Sequence, residues 1–135
     1  MKYLLILILL LSGCSQKNKT SSKIEFELLY LHNVERVTQK INPLVLDQNL
    51  CKYAKDHSEK MAKSKRLYHS KMSDLQKACK KNNVGENIAF NQTTPKEVNT
   101  IWMNSFSHRE NILNKKFFKV GFAKTEDYWC SVFSD

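Results

Sequence analysis

The sequence predicts an α+β domain in which helices come first and a β-hairpin comes last. Apolar residues recur at helical spacing between Ile24 and Val37, which predicts a first helix that ends before Asn42-Pro43. Residues 120–123 and 128–133 alternate in polarity on either side of a tight turn, which predicts a hairpin. Helices and strands segregated along the chain in this way are typical of a layered α+β domain.

Capping residues predict where the inner helices begin. Asp47 is placed to cap a second helix that runs to about Lys65. Its spacing predicts an inner face made of Leu50, Cys51, Ala54, His57, Ser58, Met61 and Ala62. The polar residues 70–83 are predicted to form a loop with one short helical turn, and residues 86–91 a short strand.

Two capping-box spacings follow. Thr94-Pro95-Lys96-Glu97 places proline at the first helical position and predicts a third helix to about Asn104. Ser107-His108-Arg109-Glu110 repeats the spacing and predicts a short helix capped by Ser107, with His108 in its first turn. The positive end of that helix is expected to keep the His108 ring neutral.

The N-terminal residues have the pattern of an export signal. A short basic start is followed by the aliphatic run Leu4–Leu11, which is too short to span a bilayer, and then by Ser12-Gly13-Cys14. This ending resembles the bacterial lipobox, in which the cysteine is acylated and becomes the new N-terminus; the alternative is an ordinary signal peptide in which Cys14 is incidental. The predicted organisation is a lipoprotein signal peptide over 1–13, a polar tether over 14–23 and one domain over 24–135.

The chain is basic, with 22 Lys and Arg against 13 Asp and Glu and a formal charge of +9, or +8 once Lys2 leaves with the leader. Export argues against nucleic acid as a partner and favours lipid headgroups or anionic envelope polymers; an ordinary solvated surface is the alternative. We expect a monomer anchored to the membrane through acylated Cys14. Because Ser15 is not the aspartate associated with inner-membrane retention, a Gram-negative cell would place it in the outer membrane.

Three cysteines remain once Cys14 is assigned to lipid. Export makes one disulfide plausible, and Cys51–Cys130 is the favoured pairing because it would join a helix to a terminal strand. The alternative is three buried thiols, Cys79 included. No C-x-x-C spacing of the kind found in zinc ribbons is present.

His69, Glu86 and His108 form the polar set that could carry chemistry. They fall after a helix, at the head of a strand and near a helix start, which are places where side chains from separate elements converge. Two imidazoles and a carboxylate could hold a divalent metal, Zn or Mg, with positions left for water. Intervals of 17 and 22 residues match no compact ligand motif, so three unconnected residues are the alternative.

The short sequence motifs around these residues resemble those of the CAP superfamily (SCP-like domain) in its short bacterial form. They are Tyr68-His69-Ser70, Gly85-Glu86-Asn87-Ile88, Trp102–Arg109 with Asn111-Ile112-Leu113, and Trp129–Phe133, and the resemblance covers residues 26–133. It implies an α-β-α sandwich with a small antiparallel sheet between helical layers and a cleft lined by His69, Glu86 and His108. The family's second acidic position falls on Ser105, and Asn87 and Trp102 are expected beside it in the cleft.

Two functions are compatible with such a cleft. The favoured one is a non-catalytic module whose His-Glu-His cleft binds an envelope lipid or glycan, with or without a divalent metal. The alternative is a metal-dependent or His/Glu-dependent hydrolase of peptides or peptidoglycan, with His69, Glu86 and His108 as its catalytic candidates. If Glu86 is a metal ligand, no second carboxylate is left to act as base, which disfavours hydrolysis.

Overall fold

The computed structural model describes residues 13–135, with side chains described from Ser21 onward. The predicted signal peptide, up to residue 12, and the side chain of Cys14 lie outside the described part. Within it the chain forms five helices and four strands in the following order. They are α1 (Gly13–Thr38), β1 (Val45–Leu46), α2 (Gln48–Ser64), α3 (Met72–Cys79), β2 (Val84–Phe90), α4 (Pro95–Asn104), α5 (Phe106–Ile112), β3 (Lys119–Thr125) and β4 (Tyr128–Ser134).

The strands form one four-stranded sheet between two helical layers. Their order is β1-β3-β4-β2, with β4 antiparallel to both β3 and β2. The two-residue strand β1 pairs parallel to β3, so the sheet is mixed at that edge instead of wholly antiparallel as predicted. The helices α1, α4 and α5 cover one face, and α2 and α3 cover the other. The predicted α+β sandwich is confirmed.

Each face of the sheet has its own hydrophobic cluster. The first cluster centres on large aromatic side chains, among them Trp102, Phe122, Trp129 and Phe133, packed against Leu28 of α1. The second is built from smaller side chains of α2 and β4, including Ala54, Met61, Cys130 and Val132. None of the helices in the described part of the chain combines the length and apolarity needed to cross a membrane.

The first helix begins earlier than predicted. It starts at Gly13, so residues 14–23, which were predicted to form a tether, continue the same helix as the apolar residues after Ile24. No proline interrupts the sequence between Cys14 and Thr38, and Ser, Gln and Lys are tolerated at exposed helical positions. Polarity alone therefore did not mark a helix boundary here.

In the other helices, two of the predicted helix starts are confirmed and one is wrong. Asp47 caps α2 by accepting from the backbone N–H groups of Asn49 and Leu50, and all seven residues predicted for the inner face are buried. The Thr94–Glu97 capping box of α4 is also confirmed. The predicted Ser107 cap is wrong: α5 begins after Ser105, whose side chain makes no capping bond. The predicted loop at 70–83 contains the two-turn helix α3, which buries Leu75.

The cysteines within the described residues are free. Cys51, Cys79 and Cys130 form no disulfide, so the predicted Cys51–Cys130 bridge is corrected to the alternative of unpaired thiols. The Cys51 thiol interacts with the backbone of Phe122, and burial raises its pKa to about 11. Cys130 is fully buried within the second cluster, and burial raises its pKa as well. Cys51 and Cys130 are thus buried as free thiols in different surroundings, one beside Phe122 and the other in the second cluster.

Arg36 ties the connections between elements to α1. It is fully buried and donates to four backbone carbonyls, those of Asn42, Ile112, Asn114 and Phe117, over 2.8 to 2.9 Å. Two of these carbonyls, those of Asn114 and Phe117, lie in the segment that joins α5 to β3, and that of Ile112 ends α5. The fixed fork of the guanidinium suits several acceptors at once. Arg36 thereby fixes the end of α5 against the first helix.

Candidate functional site

The buried carboxylate of Glu86 is the centre of the candidate site. Glu86 lies in β2, at the sheet edge remote from β1, and shares a face with Ile88 toward α2 and α3. Its side chain is only 4% exposed. Oε1 accepts from the backbone N–H of Ser70 over 2.9 Å, and Oε2 accepts from the Ser70 hydroxyl over 2.6 Å. Burial raises the pKa of Glu86, but these bonds, with those from His69, outweigh burial and lower it overall.

His69 completes the set of donors to this carboxylate. It lies in the connection between α2 and α3, and its Nδ1 donates to Oε1 of Glu86 over 2.9 Å. The bond to Glu86 raises the pKa of His69, and partial burial opposes this effect only in part. Because Nδ1 is held by the carboxylate, Nε2 points away from it, and the side chain is 57% exposed. His69 is therefore an oriented imidazole that presents Nε2 outward.

His57 supports the loop that carries His69. It lies on the buried face of α2, and Nε2 donates to the carbonyl of Tyr68 over 2.8 Å. The same nitrogen is 3.9 Å from Oε2 of Glu86. The inner-face position predicted for His57 is confirmed, but its place beside the carboxylate was not foreseen. Only its position on the inner face of α2 could have suggested it.

His108 approaches the site from the other helical layer. It is half-buried in α5, and its pKa is lowered by burial and then by the charge of His69. The direction is the predicted one, and burial is its largest cause, followed by the charge of His69. The two rings therefore differ: the raised pKa of His69 favours its protonated form, and the lowered pKa of His108 favours its neutral form.

A polar clamp beneath the site joins β2 to α5. Asn87 donates to the backbone carbonyl of His108 over 3.0 Å and accepts from the side chain of Asn111 over 2.8 Å. Asn111 also donates to the backbone carbonyl of Glu86. A side chain at position 85 would come within 2.8 Å of the Asn111 amide oxygen, so glycine lets the two segments approach. Sequence reasoning missed Asn111 as part of the site.

Not every predicted cleft residue lines an open surface. Asn87 and Trp102 are fully buried, so they support the site from beneath and present nothing to a ligand. Trp102 packs in the first cluster and donates through Nε1 to the carbonyl of Ile88. Ser105 is half-buried between α4 and α5, with its hydroxyl 3.4 Å from that of Ser107.

The residues do not fit the predicted three-ligand metal site. Among the described residues, no group of three His, Cys, Asp or Glu side chains is arranged to hold a metal ion. Both oxygens of Glu86 are already engaged by His69 and Ser70. The carboxylate instead orients His69, which is how carboxylates commonly act behind an imidazole ligand.

Two surface grooves are also present in the described part of the chain. One, of about 430 Å³, runs beside α5 and is lined by residues that include Arg109, Asn111 and Asn114, close to the polar clamp. The other, of about 590 Å³, lies between α2 and the end of α3 and is lined by Lys52, Lys80, Lys81 and Lys119 together with Asp47 and Asp56. Neither groove is lined by His69, Glu86, His108 or any other predicted cleft residue.

Comparisons with known proteins agree with this architecture. Residues 29–133 match the model of CAP, the cysteine-rich secretory protein family. The uncharacterized protein YkwD of Bacillus subtilis is 36% identical over 121 residues, which are 83% of this chain and 47% of that protein. An uncharacterized protein of Borreliella burgdorferi is 27% identical over 129 residues, which are 89% of this chain and 83% of that protein.

Solved structures share the fold. An extracellular protein with an SCP domain from Bacillus anthracis superimposes with a TM-score of 0.82 at 23% identity, over 91% of this chain and 44% of that one. An outer surface protein from Borrelia burgdorferi gives a TM-score of 0.66 at 22% identity, over 91% and 94% of the two chains. The chain spans less than half of YkwD and of the Bacillus anthracis protein, but nearly all of the Borrelia outer surface protein.

Proposed function

Since this chain belongs to CAP, the cysteine-rich secretory protein family, we propose that it is an exported, non-catalytic domain that binds an envelope glycan at His69 and His108. The observation that carries the proposal is the 2.9 Å bond from His69 Nδ1 to Glu86, which fixes the ring and turns Nε2 outward. Names of relatives as extracellular and outer-surface proteins support export.

The electrostatics of the pair suit a polar, hydroxyl-rich ligand. His69, whose pKa is raised, donates from Nε2 to a ligand oxygen when it is protonated. His108, whose pKa is lowered, keeps a ring nitrogen free to accept from a ligand hydroxyl. A donor on one histidine and an acceptor on the other, near enough for the charge of His69 to act on His108, match a sugar ring better than an acyl chain, so a glycan is favoured over a lipid.

The binding proposal is tested by calorimetry with soluble muropeptides and chitotetraose as probes. The protein is the chain from residue 14 with Cys14→Ser, which contains every residue of both core clusters. We expect His69→Ala and His108→Ala each to weaken binding about tenfold or more, as expected when a hydrogen bond to a charged or buried group is lost. Glu126→Gln, in the hairpin turn, is the matched control and should bind like the parent. Equal affinity in all four proteins would contradict the assignment.

We further propose that Cys14 carries the acyl chains that hold the domain at the envelope, in the outer membrane if the cell is Gram-negative. The Leu-Ser-Gly-Cys sequence after an aliphatic run supports this anchor. Labelling cells with a palmitate analogue and fractionating their membranes tests it. Cys14→Ser should lose both the label and the membrane association, whereas Cys79→Ser should keep both.

A divalent metal at this site would rest on the two imidazoles alone, with Glu86 orienting His69 from behind. A nitrogen donor set favours zinc over magnesium. When bound, the metal would supply a positive charge for ligand oxygens. Zinc titration of the parent and of His69→Ala/His108→Ala by calorimetry tests this, and identical heats in both proteins would exclude the site.

The hydrolase remains a second candidate because a carboxylate-held histidine is also the arrangement that orients a general base. In that reaction Nε2 of His69 would take a proton from water as the water oxygen attacks the carbonyl carbon of a peptide bond in peptidoglycan. The C–N bond would then break, and His69 would give the proton to the leaving amine. Glu86, with both oxygens engaged, would position the ring. Release of product from purified peptidoglycan, lost in His69→Ala, would support hydrolysis; intact peptidoglycan after prolonged incubation with the parent protein would exclude it.

A further inference from the structure

The helix α1 carries apolar residues on two opposite faces. One face is buried against the sheet and α4 and includes Leu28, His32 and Arg36, each fully buried. The opposite face is exposed, and we define its apolar residues as the α1 stripe. They are Phe26 at 60% exposure, Tyr30 at 68%, Val34 at 44% and Val37 at 59%.

The spacing of the α1 stripe makes it one continuous surface. Successive members are four, four and three residues apart, which places them above one another along a helix. From Phe26 to Val37 the stripe is about 16 Å long at the ordinary helical rise. Exposed lysines bracket it, Lys23 one turn before and Lys40 just after the helix ends, while Glu27 lies at its side.

The position of α1 in the chain points to the surface that covers the stripe. The helix begins at Gly13, two residues after the aliphatic run Leu4–Leu11 ends, so an apolar anchor lies close to its first turn in the sequence. This is so whether the anchor is the leader itself or acyl chains on Cys14. Because residues 14–23 are helical, Cys14 and the stripe belong to one helix about 39 Å long.

We propose that the α1 stripe lies on the lipid surface, with Phe26, Tyr30 and the two valines in the interface and Lys23 and Lys40 among anionic headgroups. Aromatic and aliphatic side chains on one helix face with flanking lysines are what interfacial helices use. A second copy is a poorer occupant, since four side chains supply far less than the about 800 Å² per partner of a stable dimer. The inference rests on the proposed envelope location and is independent of the ligand site.

The test measures binding to lipid vesicles in the absence of any acyl chain. The chain from residue 14 with Cys14→Ser is sedimented with vesicles of phosphatidylcholine that contain about a third of anionic phosphatidylglycerol. We expect the parent to bind, and Phe26→Gln/Tyr30→Gln/Val37→Gln to lose about tenfold or more of its partition coefficient. Glutamine keeps the helix, which far-UV circular dichroism and thermal melting verify.

The matched control is Phe106→Gln/Phe118→Gln, which removes two exposed aromatic residues on other elements. It should bind vesicles like the parent. No binding by the parent, or equal loss in the triple variant and the control, would overturn the proposal. So would a concentration-dependent dimer in sedimentation velocity that the triple variant abolishes, because the stripe would then be covered by a second copy. Muropeptide affinity should be the same in all of these variants, so a failure here is distinct from a failure of the ligand site.

Discussion

The side chain of Asn111 donates to the amide oxygen of Asn87 over 2.8 Å, and Asn87 in turn donates to the backbone carbonyl of His108. Through these two bonds the sheet edge that carries Glu86 is tied to the helix that carries His108. The two histidines can act on one ligand only while that tie holds. Neither histidine ring takes part in that tie.

The clamp makes Asn111 a stabilising residue. Asn111→Ala leaves the oxygen of Asn87 buried without its donor, so we expect the free energy of unfolding to fall by about 1–3 kcal/mol. Urea denaturation measures this change. Asn104→Ala, at an exposed position of α4, is the control and should shift stability by less than about 0.5 kcal/mol. A clamp variant as stable as the control would show that the bond contributes nothing.

The pKa of His69 depends on Glu86. Since the bond to Glu86 is the largest cause of the raised pKa, Glu86→Gln should bring the pKa of His69 back to about 6.5 or below, where partial burial alone would hold it. Titration of the ring protons by NMR gives the value directly. Glu97→Gln, which alters the carboxylate of the α4 capping box, should leave the His69 titration unchanged. An unchanged His69 in the Glu86 variant would contradict the proposed orientation of the ring.

His32 should make the protein less stable in acid. It is fully buried among Trp102, Phe122 and Phe133, and burial lowers its pKa to about 3; the nearby Asn99 opposes this shift and Arg36 adds to it. Below pH 6.5 His32 takes up a proton in the unfolded chain, whereas in the folded protein it stays neutral until the pH approaches 3. Stability contributed by the neutral ring is therefore present above pH 6.5 and is lost as the pH falls toward 3, by about 1.4 kcal/mol per pH unit.

The variant His32→Leu tests this origin of acid sensitivity. Neither ring nitrogen of His32 makes a full hydrogen bond among the described residues, and the amide oxygen of Asn99 beside the ring is likewise unbonded there, so leucine breaks no hydrogen bond. We expect stability near pH 7 to change by less than about 1.5 kcal/mol and the slope between pH 6 and 4 to flatten. His69, whose pKa is raised, contributes stability that is present below pH 6.5 and is lost as the pH rises past that value, so His69→Gln should remove a pH dependence on the alkaline side of 6.5 and leave the acid slope as it is. An unchanged acid slope in His32→Leu would assign it to other groups.

Arg36 should not be replaceable by lysine. Four carbonyls around the guanidinium accept from it, and an ammonium group has at most three donors in a different geometry. We expect Arg36→Lys to lower the free energy of unfolding by about 2–4 kcal/mol. Arg109→Lys is the matched control, because Arg109 donates to one carbonyl, that of Met103, and should lose less than about 1 kcal/mol. Equal losses would mean that the charge, not the fork, is what the fold requires.

Much of the fold was predictable because local patterns and tertiary structure agree. The inner face of α2 follows from periodicity, and Asp47 and the Thr94–Glu97 box mark two helix starts. The two-residue strand β1 is too short to show alternation, and it forms only because β3 lies beside it. The start of α1 was missed because polar helix formers continue a helix without a visible signal.

The candidate site was predictable in its members but not in their roles. Glu86 and His69 do meet, but as a carboxylate and the imidazole it orients, not as two metal ligands. Spacing along the chain cannot distinguish these roles, since both need the same residues in the same order. Ser70 and Asn111, which hold the carboxylate and the clamp, are polar residues of kinds found on any surface. Only the folded geometry separates them from their neighbours.

The place of β4 in the sheet also governs when the domain can form. β4 pairs with β3 on one side and with β2 on the other. The strand β2, which carries Glu86, therefore has no neighbouring strand to pair with until residues 128–134 are available. We expect a nascent chain that has emerged only as far as α5 to stay loose, with Glu86 and His108 apart. If the chain is exported as proposed, such a partial chain would need no unfolding before it passed a translocation pore, and the proposed binding surface would form only after β4 had followed.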